Sequence, residues 1–277
     1  MLKTKRQQVI ATLKVLLFSL SVIEGLGAQV MPKLYIKSSP SPDVTLTPFS
    51  PSLYPVFNEV FDRFDRGIAA LAPASFVVSN GSGKAIIGIG VKWRLVDSAG
   101  RESTYDEGTH SFLVMSQRPL APAHGRLLAA PRTFVSEDLL LHPEKGVVAV
   151  LPGDAFIARF SAAVTIHAEV DSIVFQDGEV VGPDDLGLVK SIRDRRDAAA
   201  EIVKQVESAQ AEGKDASEAL RTVATRPPFG DPGVARFERK LASELLDTRQ
   251  FDSRLQYLKG IPAPPLFYRK DTGPIWR

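Results

Sequence analysis

A regular alternation of apolar and polar positions runs through residues 85–97. Apolar residues recur there at every second position, and Lys92 and Arg94 lie between them. This period of two predicts a β-strand with one buried face. Turn residues at 97–100 predict a hairpin after the strand. The predicted buried face comprises Ala85, Ile87, Ile89, Val91, Trp93 and Leu95.

Other short apolar runs, separated by turn residues, predict further strands. An edge strand is predicted at residues 44–49, inside a stretch rich in Pro and Ser. Short strands with little helix between them predict an antiparallel β-sandwich. The remaining strand predictions are residues 76–80, 111–115, 147–151, 155–160 and 163–170.

Helical periodicity replaces the alternation after the strands. Apolar residues fall on one stripe of a long helix, and Asp184 or Asp185 is placed to cap its start. Two further helices are predicted near residues 215–223 and 234–247. The stripe consists of Val189, Ile192, Ala199, Val203 and Val206, and a short helix upstream of the strands is marked by Phe57, Phe61 and Phe64.

These patterns predict a mainly β fold with C-terminal helices, namely an antiparallel immunoglobulin-like β-sandwich plus a helical extension. A chain of 277 residues with 44% hydrophobic residues can bury one sizeable core. The predicted segments are a signal peptide at 1–28, a Pro- and Ser-rich strap with a short helix at 29–72, a sandwich domain at 73–182, a helical extension at 183–258 and a Pro-rich tail at 259–277.

The N-terminus has the layout of a secretory signal peptide. Four basic residues precede an apolar run at 15–23, and small residues follow, with cleavage expected after Gly27 or Ala28. The run is shorter than the roughly 20 residues that span a bilayer, so no stable membrane anchor is expected after cleavage. A periplasmic or extracellular location in a bacterium is therefore predicted.

Charge and cysteine usage narrow the classes of partner. Removing residues 1–28 takes four of 34 basic and one of 32 acidic residues, which leaves 30 and 31 and a net charge of −1. Such a balance gives no reason to expect binding to nucleic acid. The absence of cysteine excludes disulfides, thiol catalysis and thiolate metal sites.

No sequence signature of catalysis or of cofactor binding is present. The GSGK segment at 81–84 lacks the flanking residues of a phosphate-binding loop and precedes a strand, so it is interpreted as a turn. Zinc-protease, serine-hydrolase and dinucleotide motifs are missing. No catalytic residue and no cofactor is therefore predicted.

A candidate metal site lies on the predicted strand at 163–170 and its continuation. His167, Glu169 and Asp171 occupy alternate positions, so they project from one face about 7 Å apart. An imidazole and two carboxylates can bind a divalent metal or act as an acid and base pair. The alternative is an ordinary solvated sheet face, which also alternates polar residues.

An acidic segment follows, VDSIVFQDGEVVGPDD at residues 170–185. Its apolar phase changes near Asp171 and Ser172, which predicts a bulge. A tight turn is predicted at residues 177–178, and residues 182–185 should end the sheet and start the long helix. Neither glycine register fits an EF-hand, so the segment is interpreted as a structural junction.

Residues 71–100 and the segment at 170–185 together resemble a group of exported bacterial proteins. In that group an Asn-small-Ser turn precedes a Trp-containing strand, and a F-x-D-G-x-x-x-G-P-D motif precedes a helix. The resemblance implies an immunoglobulin-like or fibronectin-like sandwich followed by helices. It implies no activity, because none is assigned to the group.

Three functions remain open, because fold does not determine function. The first, which we favour, is a non-catalytic β-sandwich that binds an envelope protein or a glycan. The second is a metal-dependent enzyme or binder using His167, Glu169 and Asp171. The third is a structural envelope component that self-associates through its helices. The oligomeric state is left open by the sequence.

Overall fold

The computed structural model contains two main β-sheets and a set of mostly C-terminal helices. The first sheet comprises β1 (Lys33–Ile36), β4 (Ile86–Asp97), β5 (Glu102–His110), β8 (Ala163–Phe175) and β9 (Val180–Val181). The second comprises β2 (Val44–Pro48), β3 (Ser75–Asn80), β6 (Gly125–Ala129) and β7 (Phe134–Ser136). The strand order is β1-β8-β4-β5 in the first sheet, with β9 paired to β8, and β2-β3-β6-β7 in the second. The structure describes residues 32–50, 52–53, 72–110, 119–129, 134–136, 154–227, 230–247, 251–261, 265–271 and 273–275.

The prediction of β-strands followed by helices is confirmed, but the prediction of purely antiparallel sheets is wrong. β1 runs parallel to β8, with Tyr35 opposite His167, whereas β4 runs antiparallel to both β5 and β8. A strand's alternation reports which face is buried and not which strand lies beside it or in which direction. The predicted edge strand at 44–49 is confirmed as β2, which lies at the edge of the second sheet.

The predicted strand at residues 155–160 is wrong, because this segment lies in helix α1 (Asp154–Ala162). A short apolar run is compatible with a strand or with a buried helix segment, and periodicity alone does not separate them. Phe160 of α1 packs edge-on against Trp93, with ring centroids 5.9 Å apart. The predicted strands at 111–115 and 147–151 and the predicted helix around Phe57 lie outside the described residues.

The two sheets share one hydrophobic core centred on Trp93. Its ring lies 5.5 Å from that of Phe76 in the second sheet. Ile89, Val91 and Leu95 of β4 belong to the same core, as the alternation predicted. Ile87 does not, because the pairing of β4 with β8 is irregular between Ile86 and Gly88, and Ile87 joins a cluster with the first turns of the long helix.

The C-terminal helices agree with the sequence patterns. They are α2 (Leu188–Ala211), α3 (Ala216–Thr225), α4 (Pro232–Leu246) and α5 (Phe251–Lys259), of which α5 was not predicted separately. Val189, Ile192, Ala199 and Val206 are buried along α2, and Val203 is partly buried. Among the described residues, no helix combines the length and the apolar character that crossing a membrane requires.

The described part of the C-terminal tail packs against the body of the protein. Its two short strands, β10 (Tyr268–Arg269) and β11 (Gly273–Pro274), pair with each other. Phe267 is 1% exposed and lies in the cluster that joins Ile87 to the start of α2. Arg193 of α2 donates a 2.7 Å hydrogen bond to the carbonyl oxygen of Ile275.

Candidate functional site

The outward residues of β8 contact strand β1 and Lys37, the residue that follows it. The ring of His167 stacks on that of Tyr35, with centroids 5.2 Å apart and planes inclined by 16°. Glu169 accepts a 2.6 Å hydrogen bond from Nζ of Lys37. Both contacts follow from parallel pairing, which places the side chains of neighbouring strands side by side.

Asp171, the third candidate ligand, occupies a different environment. Gly90 pairs with Ser172 and Val91 with Val170, which leaves Asp171 as the extra residue of a bulge, as the phase change predicted. Its side chain is fully buried, Lys92 Nζ lies 2.8 Å from Oδ1, and the backbone N–H of Leu186 donates to Oδ2 at 3.1 Å. The residue therefore forms part of the junction with the helices.

The three candidate metal ligands each face a partner that is not a metal ligand. Their immediate partners are Tyr35, Lys37 and Lys92. Within the described ranges, no group of three or more His, Cys, Asp or Glu residues is arranged to hold a metal ion. The metal site stays a prediction, which elemental analysis of the purified protein tests.

The outer face of the first sheet forms an open cleft of about 530 Å³. Tyr35, His167, Arg94 and Thr104 align across all four main strands, because each is the register partner of the next. The cleft is lined by Tyr35, Ile36, Lys37, Lys92, Trp93, Arg94, Thr104, His167, Ala168 and Glu169. Its volume lies in the range of small-molecule and cofactor sites.

The cations in this cleft are paired with carboxylates. Arg94 Nη1 lies 3.0 Å from Glu102, and Lys92 Nζ lies 2.7 Å from Asp185 in addition to its contact with Asp171. The adjoining carboxylates of Asp171 and Asp185 raise the pKa of Lys92 above its ordinary value. Lys92 therefore stays charged at neutral pH and links the cleft to the acidic junction.

The carboxylates at the turn of the acidic junction hold neighbouring segments together. Glu179 is 5% exposed, and its two oxygens contact Lys84 at 2.5 Å and Lys270 of the tail at 2.8 Å. Asp177 also pairs with Lys84 and accepts a 3.2 Å hydrogen bond from the hydroxyl of Tyr268. Burial raises the pKa of Glu179, but the hydrogen bonds and charges of the two lysines outweigh burial and hold it below its ordinary value.

Asp184, one of the two predicted capping residues, lies just before α2, whose N-cap position is occupied by Gly187. Its carboxylate accepts hydrogen bonds from the backbone N–H groups of Leu188 at 2.7 Å and Val189 at 3.3 Å. Burial raises the pKa of Asp184 despite these bonds. The segment is therefore a structural junction, and the predicted turn is confirmed by the hydrogen bond from Gly178 N–H to the carbonyl oxygen of Phe175.

A second cleft of about 610 Å³, the loop-end cleft, lies between the turn before β4 and the acidic junction. It shares no lining residue with the outer-face cleft. It is bounded by Glu179, Lys84 and the tail residues Arg269 and Lys270. The predicted residues His167 and Glu169 therefore do not converge with Glu179 in one cleft. Lys84 and Lys270 both pair with Glu179, and Lys84 also pairs with Asp177. These ion pairs link the tail to the acidic junction.

The sequence analysis identified the residues that β8 contributes to the outer-face cleft, His167 and Glu169. It did not identify the residues contributed by the neighbouring strands. Tyr35 and Lys37 lie in KLYIK, whose alternation of polar and apolar residues could have indicated a strand with an outward tyrosine. Arg94 was assigned to the outer face of β4, but nothing in the sequence indicated that β4 lies beside β8.

Comparisons with protein-family models, with curated proteins and with solved structures find no match to this chain.

Proposed function

We propose that the chain is an exported bacterial binding protein, periplasmic or extracellular, that acts without catalysis through its outer-face cleft. The cleft itself is the observation that carries the proposal. Helix α2 and the tail cover the part of the first sheet around Ile87 and Val174, whereas the part around His167 and Arg94 is open. An open, polar, concave face on a rigid sheet is suited to holding an extended ligand.

The export part of the proposal rests on the N-terminal pattern of basic, apolar and small residues and on the cysteine-free chain. The immunoglobulin-like relationship is likewise proposed, and the shared core around Trp93 between two sheets supports it. The ligand is proposed to be a component of the cell envelope, a glycan or a protein.

The non-catalytic part rests on the chemistry of the cleft. A general base or nucleophile needs a poised partner, such as a histidine beside a hydroxyl or a carboxylate. The imidazole of His167 stacks on Tyr35, and the carboxylate of Glu169 pairs with Lys37. Neither group therefore has the partner that a catalytic base or nucleophile needs.

Calorimetric titration of the purified protein with soluble polysaccharides and envelope peptides tests the proposal. We expect saturable binding of at least one probe, with the probe recovered chemically unchanged. The double variant Tyr35→Ala/Arg94→Ala should lose at least tenfold in affinity, and Arg101→Ala, an exposed arginine paired with Asp97 in the β4–β5 turn, should not. Turnover of a probe, abolished by one substitution in the cleft, would contradict the proposal.

A further inference from the structure

We infer that the ligand of the outer-face cleft is an uncharged, hydroxyl-rich polymer, that is, a neutral glycan. The inference rests on the proposed function and narrows its ligand to one chemical class. It is drawn from the way in which charges, apolar groups and hydroxyls are distributed over the cleft.

The charge distribution disfavours a polyanion. Each cation that lines the cleft already lies within 3.0 Å of a carboxylate, namely Lys37 with Glu169, Lys92 with Asp171 and Asp185, and Arg94 with Glu102. A polyanion gains its affinity from uncompensated cations and from the counterions that it releases. Here it would have to compete with carboxylates that are already in place.

The apolar distribution disfavours a hydrophobic peptide. Trp93 and Ala168 contribute to the cleft, but each is only 2% exposed, because both side chains point into the core. Protein interfaces use exposed aromatic or aliphatic anchors that fill desolvated pockets. Tyr35, 43% exposed, is the one large apolar side chain of the described cleft residues with substantial exposure.

Paired charges suit hydroxyl groups, because a hydroxyl donates one hydrogen bond and accepts others. Beside the Lys37–Glu169 or the Arg94–Glu102 pair, a sugar hydroxyl can accept from the cation and donate to the carboxylate without separating them. Thr104 and the hydroxyl of Tyr35 add groups that both donate and accept.

Tyr35 is held in place before a ligand arrives. His167 stacks on its ring, and Nζ of Lys33 lies 4.8 Å from the ring centroid. A side chain that is already ordered loses little conformational entropy on binding, and tyrosine combines an apolar ring with a polar tip. The exposed part of Tyr35, its ring edge and its hydroxyl, is therefore a preorganised contact for the C–H groups and the hydroxyls of a sugar.

Affinity electrophoresis and calorimetry with matched polymers test the inference. The neutral probes are laminarin, pullulan and glycol chitin, and the competing probes are polygalacturonate and poly-glutamate. We expect a neutral probe to bind with a Kd that changes less than about threefold between about 0.05 M and about 0.5 M NaCl. The double variant Tyr35→Ala/Arg94→Ala should weaken this binding at least tenfold, and Arg101→Ala should leave it unchanged.

The other outcomes separate the inference from the proposed function. Binding of polygalacturonate or poly-glutamate that falls steeply with salt and depends on Tyr35 and Arg94, without binding of a neutral probe, overturns the neutral glycan but retains the binding face. If an uncharged envelope peptide is the only probe that binds, the neutral glycan is likewise overturned and the binding face is retained. If no probe of any class binds, or if binding survives in the double variant, both the inference and the proposed function fail.

Discussion

Lys92 and Asp171 form an ion pair at the boundary between the open and the covered parts of the first sheet. The lysine Nζ lies 2.8 Å from Oδ1 of a carboxylate whose side chain is fully buried. Among the described residues, that oxygen accepts no hydrogen bond, so the charge of Lys92 is what compensates it. The negative charge of the buried Asp171 carboxylate is therefore compensated only as long as Lys92 is present.

Replacing Lys92 should destabilise the fold strongly. Lys92→Met leaves the Asp171 carboxylate buried without its cation, and we expect the free energy of unfolding to fall by about 3 kcal/mol. Lys37→Met removes a lysine of the same cleft whose pair with Glu169 is largely exposed, so its cost should stay below about 1 kcal/mol. Urea denaturation measures both values, and equal effects of the two substitutions would contradict the assignment.

The C-terminal tail should contribute stability through one side chain. Phe267→Ala removes a ring that is 1% exposed, and we expect the free energy of unfolding to fall by about 3 to 5 kcal/mol. The neighbouring Leu266 is 79% exposed, so Leu266→Ala should change it by less than about 0.5 kcal/mol. A small effect of Phe267→Ala would show that the tail is not docked in solution.

Glu179 should make part of the stability depend on acid pH. Its pKa is lowered in the folded state, so its contribution is present above the unfolded pKa of about 4.3 and is lost as pH falls through the folded pKa. Glu179→Gln should therefore be less stable than the parent protein at pH 7 by about 1 to 2 kcal/mol, and the difference should shrink below about pH 4.

Thermal unfolding of the parent protein and Glu179→Gln across this pH range measures the effect. Glu212→Gln is the control, because Glu212 pairs with Lys214 on the surface, and this substitution should leave stability nearly unchanged at every pH. A constant difference between the parent protein and Glu179→Gln from neutral to acid pH would be inconsistent with the lysine contacts.

Asp184 should tolerate asparagine and not alanine. It has a positive φ of 57° and caps α2, so Asp184→Ala should lose about 2 kcal/mol through the missing cap and the backbone strain. Asparagine keeps the accepting oxygen and adopts positive φ readily. Urea denaturation of the two variants therefore measures the cap and the backbone strain together, and equal unfolding free energies would contradict both roles.

The same carboxylate has a pH signature opposite to that of Glu179. Burial raises its folded pKa, so ionisation weakens the fold as pH rises from the unfolded pKa of about 3.9 through the folded value. Asp184→Asn should therefore gain stability relative to the parent protein as pH rises through that window. A relative loss of stability in Asp184→Asn would contradict the burial of this group.

Gly182 should resist substitution because of its backbone and its surroundings. It has a φ of 100°, and a Cβ there would collide with the carbonyl group of Asp171. Gly100 in the β4–β5 turn also has positive φ, 75°, but faces open space. We expect Gly100→Ala to cost about 1 kcal/mol and Gly182→Ala at least twice as much, measured by urea denaturation.

Local patterns predicted several elements well because their physical causes are local. The alternation around Trp93 determines the core face of β4, and the phase change near Asp171 predicted the bulge at that residue. The capping role of Asp184 followed from its place before an apolar stripe. Each inference needed only neighbouring residues.

Features that depend on distant partners could not be predicted. The parallel pairing of β1 with β8, which brings Tyr35 beside His167, requires knowledge of the topology. The burial of Asp171 depends on Lys92 and on Leu186, which lie on other elements. The pattern at residues 155–160 is compatible with a strand or a helix, so neighbouring residues alone did not distinguish the two. In the helix that forms, Phe160 packs on Trp93, which lies far away in the sequence.

Chemical-shift mapping of backbone amides during titration with the best-binding neutral glycan is the sharpest test of glycan binding at the outer-face cleft. We predict saturable shifts confined to the outer face around Tyr35, Arg94 and His167, with the loop-end cleft around Lys84 and Glu179 unperturbed. Shifts concentrated at the loop-end cleft, or no shifts at saturating glycan, would contradict it.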